Sequence, residues 1–182
     1  MSLLVCFLTG RSDPANTALS PAQLALLDAL PVGAGERIDV NFPYAAASGP
    51  WRRTPLAVAS VRNGRDYLGS RRPGFARRYA AEVRPVLAAA DRTLVLAGSC
   101  GLELLANLRL DRHALAGLHV LAFGPVARSH PPVSLETVVG RTDLLARRWA
   151  PRADHVIGAG HLDYLASPEF RAIAARAVER LR

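Results

Sequence analysis

The sequence predicts an α/β protein in which a mostly parallel, six-stranded sheet carries helices on both faces, as a three-layer αβα sandwich. Strand-like and helix-like segments alternate about six times along the chain. The strand-like runs are continuously apolar, which is typical of parallel strands that are covered on both faces. The 182 residues, half of them apolar, are enough for one domain with a sizeable core. We therefore expect a single domain over residues 1–182.

The elements follow one another in a regular order. The predicted strands cover residues 3–8, 37–42, 93–97, 118–123, 134–140 and 155–157. The predicted helices cover residues 21–30, 74–90, 100–110, 143–149 and 168–181. The first and last helices have strong start signals, because Ser20 and Ser167 each precede a proline at the first helical position. Pro85 lies inside the second helix and is expected to kink it. Residues 43–70 carry several prolines and glycines and are predicted to be loop-like, with short helical turns at most over 55–62 and 65–68.

The positive charge is concentrated in one segment. All 23 basic residues are arginine, and residues 43–92 hold ten of them against three acidic residues, within a net charge of +8. Because a complete lack of lysine is typical of GC-rich coding, this composition alone does not indicate nucleic-acid binding. The chain has only 6% aromatic residues and no nucleic-acid motif, so we expect no nucleic-acid partner.

Several other classes of protein are disfavoured. No apolar run reaches the roughly 18 residues of a membrane span, so we expect no membrane partner. Two cysteines cannot build a disulfide framework, and the first apolar run is too short for a signal peptide. We therefore expect a cytoplasmic protein. A dinucleotide-binding domain is disfavoured because no G-x-G-x-x-G motif follows the first strand.

Three strand ends carry side chains that could perform chemistry, and in a parallel sheet these ends share one edge. Ser99 follows the third strand within Ala-Gly-Ser-Cys-Gly at 97–101, where small residues two positions away would allow a tight turn to expose the hydroxyl. Cys100 is an alternative nucleophile in that stretch, and an ordinary or phosphate-binding turn is a further interpretation. Asp143 follows the fifth strand and could orient a histidine or cap a helix. His161 follows the sixth strand in a glycine-flanked loop.

Taken together, these three residues resemble the triad of the α/β-hydrolase superfamily. The resemblance lies in Ala-Gly-Ser-Cys-Gly at 97–101, Val-Gly-Arg-Thr-Asp at 139–143 and Gly-Ala-Gly-His-Leu-Asp-Tyr at 158–164, in the order Ser, Asp, His. It implies a small serine hydrolase that cleaves an ester, thioester or amide of a small molecule. Ser99 would be the nucleophile, His161 the base and Asp143 the orienting acid, without metal or cofactor. The short segment after the fourth strand implies a lidless form.

The sequence departs from this superfamily in the loop after the first strand. That loop usually begins with His-Gly and donates an amide to the oxyanion, but here it is Thr-Gly-Arg-Ser at 9–12. The expected oxyanion donors are the amides of Cys100 and of Arg11 or Gly10. The departure keeps open a second interpretation, in which the fold is catalytically weak or silent and acts as an interaction module.

The arginine-rich segment follows the second strand and should border the mouth of the site. Tyr44, Trp51, Arg52, Arg53 and Tyr67 are therefore candidate substrate-binding residues. We expect a cationic mouth that favours a substrate bearing carboxylate or phosphate. The alternative is a solvated arginine surface without a binding role.

Overall fold

The fold is a single parallel sheet flanked by helices, seen in a computed structural model that describes residues 1–44 and 49–182. In these residues the strands are β1 (Leu3–Leu8), β2 (Arg37–Asn41), β3 (Arg92–Gly98), β4 (Leu118–Phe123), β5 (Ser134–Gly140) and β6 (His155–Ile157). The helices are α1 (Pro21–Ala29), α2 (Leu56–Ser70), α3 (Pro73–Ala88), α4 (Gly101–Asn107), α5 (Arg112–Leu115), α6 (Leu144–Trp149) and α7 (Pro168–Arg180). The strand order is β2-β1-β3-β4-β5-β6, and every pairing is parallel. The predicted fold class is confirmed.

Two hydrophobic clusters cover the two faces of the sheet. On one face, Val5 and Phe7 of β1 pack in a cluster that includes side chains of α1 and α7. On the other face, Cys6 and Leu8 pack in a cluster that includes side chains of α3 and α4. Alternate residues of β1 thus enter different cores, which explains why this strand is apolar throughout.

The prediction that residues 43–70 form a loop is wrong for 56–70. These residues form the continuous helix α2, which runs through Asn63-Gly64 and Gly69; residues 45–48 of the segment lie outside the described part of the chain. A glycine costs a helix only about 1 kcal/mol relative to alanine, and contacts with distant parts of the chain offset that cost. Asp66 of α2 pairs with Arg11, and Arg71, which caps α2, pairs with buried Glu103 of α4.

Smaller differences concern the ends of helices. α4 ends at Asn107 rather than at residue 110, and Arg109 beyond it has a φ of 51°. α3 runs through Pro85 to Ala88. The helix α5 and the 3-10 turns Ala34–Glu36 and Tyr164–Ala166 were not predicted. Among the described residues, no helix has the length and apolar character needed to cross a membrane.

Candidate active site

Ser99 lies on a strained turn between a strand and a helix. Its φ of 51° is in the left-handed region, which is uncommon for residues other than glycine. The turn is tied to the sheet, because the Ser99 amide donates to the Phe123 carbonyl (3.1 Å) and the Ser99 carbonyl accepts from the Val126 amide (2.9 Å). A Cβ on Gly101 would lie 1.9 Å from the Leu8 carbonyl oxygen. This close approach explains why the residue two positions after Ser99 must be small, as predicted.

The structure brings Ser99, His161 and Asp143 together at the carboxyl edge of the sheet. Ser99 Oγ lies 3.2 Å from His161 Nε2, and His161 Nδ1 lies 2.8 Å from Asp143 Oδ2. The Asp143 side chain is fully buried, whereas 27% of the His161 side chain is exposed. The carboxylate selects the tautomer that carries hydrogen on Nδ1, which leaves Nε2 free to accept the serine proton. The arrangement can deprotonate Ser99 when a carbonyl carbon approaches.

Tyr164 completes the surroundings of Asp143, although the sequence did not indicate it as a site residue. Its hydroxyl donates to Asp143 Oδ2 (2.7 Å) and accepts the amide of Gly140 (2.7 Å). The other carboxylate oxygen, Oδ1, accepts the amide of Ala146 (2.9 Å), so Asp143 also caps α6. Asp143 therefore both contacts His161 and caps a helix, so the two interpretations of this residue are compatible. The feature of the sequence that could have indicated Tyr164 is its position three residues after His161 in the same loop.

The pKa of Asp143 is lowered despite its burial. Burial alone raises the pKa, but the Ala146 amide, the Tyr164 hydroxyl and His161 together outweigh it. Burial and the hydrogen bond to Asp143 raise the pKa of Tyr164, so the phenol stays a neutral donor. Asp143 is thus held as a carboxylate beside the imidazole.

Cys100, the alternative nucleophile, lies in the protein interior. Its side chain belongs to the buried core, and burial raises the pKa of its thiol to about 12, with a further increase from the charge of Asp66. The amides of Gly10 and of Cys100 itself lie beside the sulfur and oppose this increase. Because the thiolate is the reactive form, the geometry favours Ser99 over Cys100 as the nucleophile.

The loop after β1 differs from its predicted role. The Arg11 amide donates to Asp66 Oδ2 (2.7 Å), and the Arg11 guanidinium binds both oxygens of the same carboxylate. The Thr9 amide donates to Asn41 Oδ1 (2.9 Å). The prediction that Arg11 supplies an oxyanion donor is therefore wrong for this conformation, because its N–H already has an anionic partner. Asp66 gave no signal in the sequence, since its segment was predicted to be a loop.

A cavity of about 320 Å³ opens beside Ser99 and His161. Trp51 and Arg52 line it, as predicted. The placement of the other three candidates in its wall is wrong: Arg53, Tyr44 and Tyr67 are not among its lining residues. Tyr44 is buried beneath the Arg11 guanidinium, which lies 4.3 Å from the ring centre, and Tyr67 packs against Trp149 and Arg71. Tyr44 thus packs against Arg11, and Tyr67 of α2 packs against Trp149 and Arg71, so neither ring lines the cavity.

Asn63 is a further residue of the cavity wall that the sequence did not indicate. It lies in α2, in the segment that was predicted to be a loop, so nothing in the pattern indicated that this residue would line the cavity. Within the described ranges, no group of three or more His, Cys, Asp or Glu side chains is arranged to hold a metal ion.

In comparisons with known proteins, neither a protein-family model nor a curated protein sequence matches the chain. One solved structure with a similar backbone is the crystal structure of a "putative hydrolase of the alpha/beta superfamily" from Xanthomonas campestris pv. campestris. It is 17% identical, the alignment covers 100% of this chain and 98% of that one, and the TM-score is 0.48.

Proposed function

We propose that this chain is a serine hydrolase that cleaves an ester or thioester of a small molecule through Ser99, His161 and Asp143. The observation that supports this proposal is the continuous chain of hydrogen bonds from Ser99 Oγ through His161 to Asp143, with Ser99 on a strained turn. Such strain is found where the surrounding structure holds a functional side chain in position.

In the proposed reaction, Ser99 Oγ attacks the substrate carbonyl while its proton moves to His161 Nε2. The carbonyl π electrons move to oxygen and form a tetrahedral oxyanion, and Asp143 stabilises the imidazolium. The intermediate collapses, the leaving alcohol or thiol takes the proton from His161, and an acyl group remains on Ser99. Water then attacks this acyl-enzyme with His161 as base, which releases the acid and restores Ser99.

We expect the substrate to carry a negative charge. Arg52 lines the catalytic cavity, and Arg11 and Asp13 line both that cavity and a larger neighbouring one of about 790 Å³. The neighbouring cavity is also lined by three arginines that, among the described residues, have no carboxylate within 4.0 Å: Arg65, Arg72 and Arg78. Their combined field would attract a carboxylate or phosphate group on the substrate.

The proposal is tested by labelling the purified protein with a fluorophosphonate, which reacts with activated serines. Labelling of the wild type and its loss in Ser99→Ala and His161→Ala are expected. Cys100→Ala is the control for the neighbouring nucleophile and should still be labelled. A wild-type protein that resists the probe, or a Ser99→Ala protein that still reacts, would contradict the assignment.

One observation favours the second candidate, a catalytically weak protein that uses this fold for binding. The Arg11 amide, an expected oxyanion donor, is occupied by Asp66. Loss of one such donor typically slows a hydrolase about 10²–10³-fold. The rate of labelling separates the two candidates, because a silent protein would not form the covalent adduct and a weak one would form it slowly.

A further inference from the structure

The oxyanion of the proposed reaction needs a donor besides the amide of Cys100. Two backbone donors of the loop after β1 are engaged elsewhere, since the Thr9 amide donates to Asn41 and the Arg11 amide to Asp66. A donor from another element would take the place of the Arg11 amide that was expected in this role.

Asn63 of α2 is in the right place to be that donor. Its side chain lines the same cavity as Ser99 and His161. The ideal position of a Cβ on Gly10 would be 2.7 Å from Asn63 Oδ1 and 2.8 Å from Cys100 Sγ. The carboxamide and the Cys100 sulfur thus both lie close to Gly10. Gly10 is required because any side chain there would displace this carboxamide.

The two ends of the Asn63 carboxamide have different surroundings. Oδ1 is buried and has no hydrogen-bond partner among the described residues. A buried polar atom without a partner costs stability and calls for an explanation. Nδ2 is not among the buried unpartnered atoms, and the hydrogen bonds of the described residues do not include it as a donor. Nδ2 therefore has no partner among the described residues, and the residue to which it belongs lines the cavity.

We propose that Asn63 Nδ2 donates a hydrogen bond to the oxyanion that forms when Ser99 attacks the carbonyl, together with the amide of Cys100. This inference rests on the proposed function. A side-chain amide serves this purpose well, because a preorganised donor stabilises the charge that develops in the transition state. In this proposal, the unpartnered Oδ1 is the cost of turning Nδ2 toward the reacting carbonyl.

The experiment compares the wild type with Asn63→Ala and with the isosteric Asn63→Asp, using p-nitrophenyl butyrate as the substrate. We expect kcat/KM to fall about 10²–10³-fold in both variants, mainly through kcat. The affinity for an alkyl trifluoromethyl ketone, which forms a tetrahedral adduct with the serine, should fall by a similar factor. Leu68→Ala, an exposed change on the same helix, is the control and should behave as the wild type.

The outcomes separate this inference from the proposed function. A wild type that is neither labelled by the fluorophosphonate nor hydrolyses the ester overturns both. A wild type that hydrolyses the ester, with an Asn63→Ala variant within about threefold of it in kcat/KM, overturns the role of Asn63 alone. A loss that appears only in KM, with unchanged affinity for the ketone, also overturns it. Thermal unfolding shows that each variant is folded, and the isosteric Asn63→Asp preserves the volume of the side chain.

Discussion

Removal of the Tyr164 hydroxyl should destabilise the protein strongly, because that one atom satisfies two buried groups. Tyr164→Phe removes a hydrogen bond to the Asp143 carboxylate and leaves the buried amide of Gly140 without its acceptor. A hydrogen bond to a charged group contributes about 1.5–3 kcal/mol, and a buried unpaired amide costs about 1–3 kcal/mol. Because Asp143 Oδ2 keeps its bond to His161, we expect a loss of about 2–4 kcal/mol in the free energy of unfolding.

Urea denaturation measures this loss, and the chain offers a matched control. At an m value of about 1–3 kcal/mol per molar urea, the midpoint should fall by about 1–2 M. Tyr44 is another buried tyrosine, but its hydroxyl has no hydrogen-bond partner among the described residues. Tyr44→Phe should therefore leave stability within about 0.5 kcal/mol of the wild type or raise it. Equal losses in the two variants would refute the reasoning that hydrogen-bond partners, rather than burial, determine the cost.

Three further predictions concern the turn, the acid and the substrate. Gly101→Ala places a Cβ 1.9 Å from the Leu8 carbonyl oxygen. It should lower the free energy of unfolding, measured in urea, by about 3 kcal/mol and abolish fluorophosphonate labelling. Gly64→Ala, whose Cβ would have nothing within 4 Å, should instead stabilise α2 by about 0.5–1 kcal/mol. Because the pKa of Asp143 is lowered in the folded state, its carboxylate stabilises the fold above the unfolded pKa of about 3.9, and this contribution is lost as pH falls through the folded value. The stability gap between wild type and Asp143→Asn in urea should therefore be largest near neutral pH and narrow in acid, and a gap that widens in acid would contradict the sign. Arg52→Ala should lower kcat/KM for an ester with a carboxylate by about two- to fivefold, in line with an exposed charge pair, and leave kcat/KM for a neutral isostere unchanged. Salt should weaken this difference. Equal, salt-independent rates for the two esters would contradict the preference for an anionic substrate.

The sheet and the central residues of the site could be predicted because both depend on local pattern. The runs at 3–8, 118–123, 134–140 and 155–157 begin and end as predicted, since strands covered on both faces are apolar throughout and are bounded by polar or turn residues. Parallel topology then places the residues that follow each strand at one edge. The proximity of three residues that are far apart in sequence could therefore be predicted without any knowledge of tertiary contacts.

Most residues in the walls of the site could not be predicted, because their positions depend on partners that are distant in sequence. Tyr44 and Tyr67 were assigned to the mouth from their segment alone, but an aromatic ring lies where the largest apolar contact is available. For Tyr44 that contact is beneath Arg11 and against Tyr79, at 5.4 Å between ring centres. Of the five candidates, Trp51 and Arg52 line the cavity.

The oxyanion donors illustrate the same limit, because an amide can stabilise a transition state only if nothing else binds it first. The Arg11 amide donates to Asp66, which is 55 residues away, and the carboxamide beside Gly10 belongs to Asn63. Residues three apart lie on one face of a helix, so α2 presents both side chains to the loop after β1. The helix that removes the expected donor therefore brings the proposed replacement with it, and the two changes are a single consequence of how α2 packs.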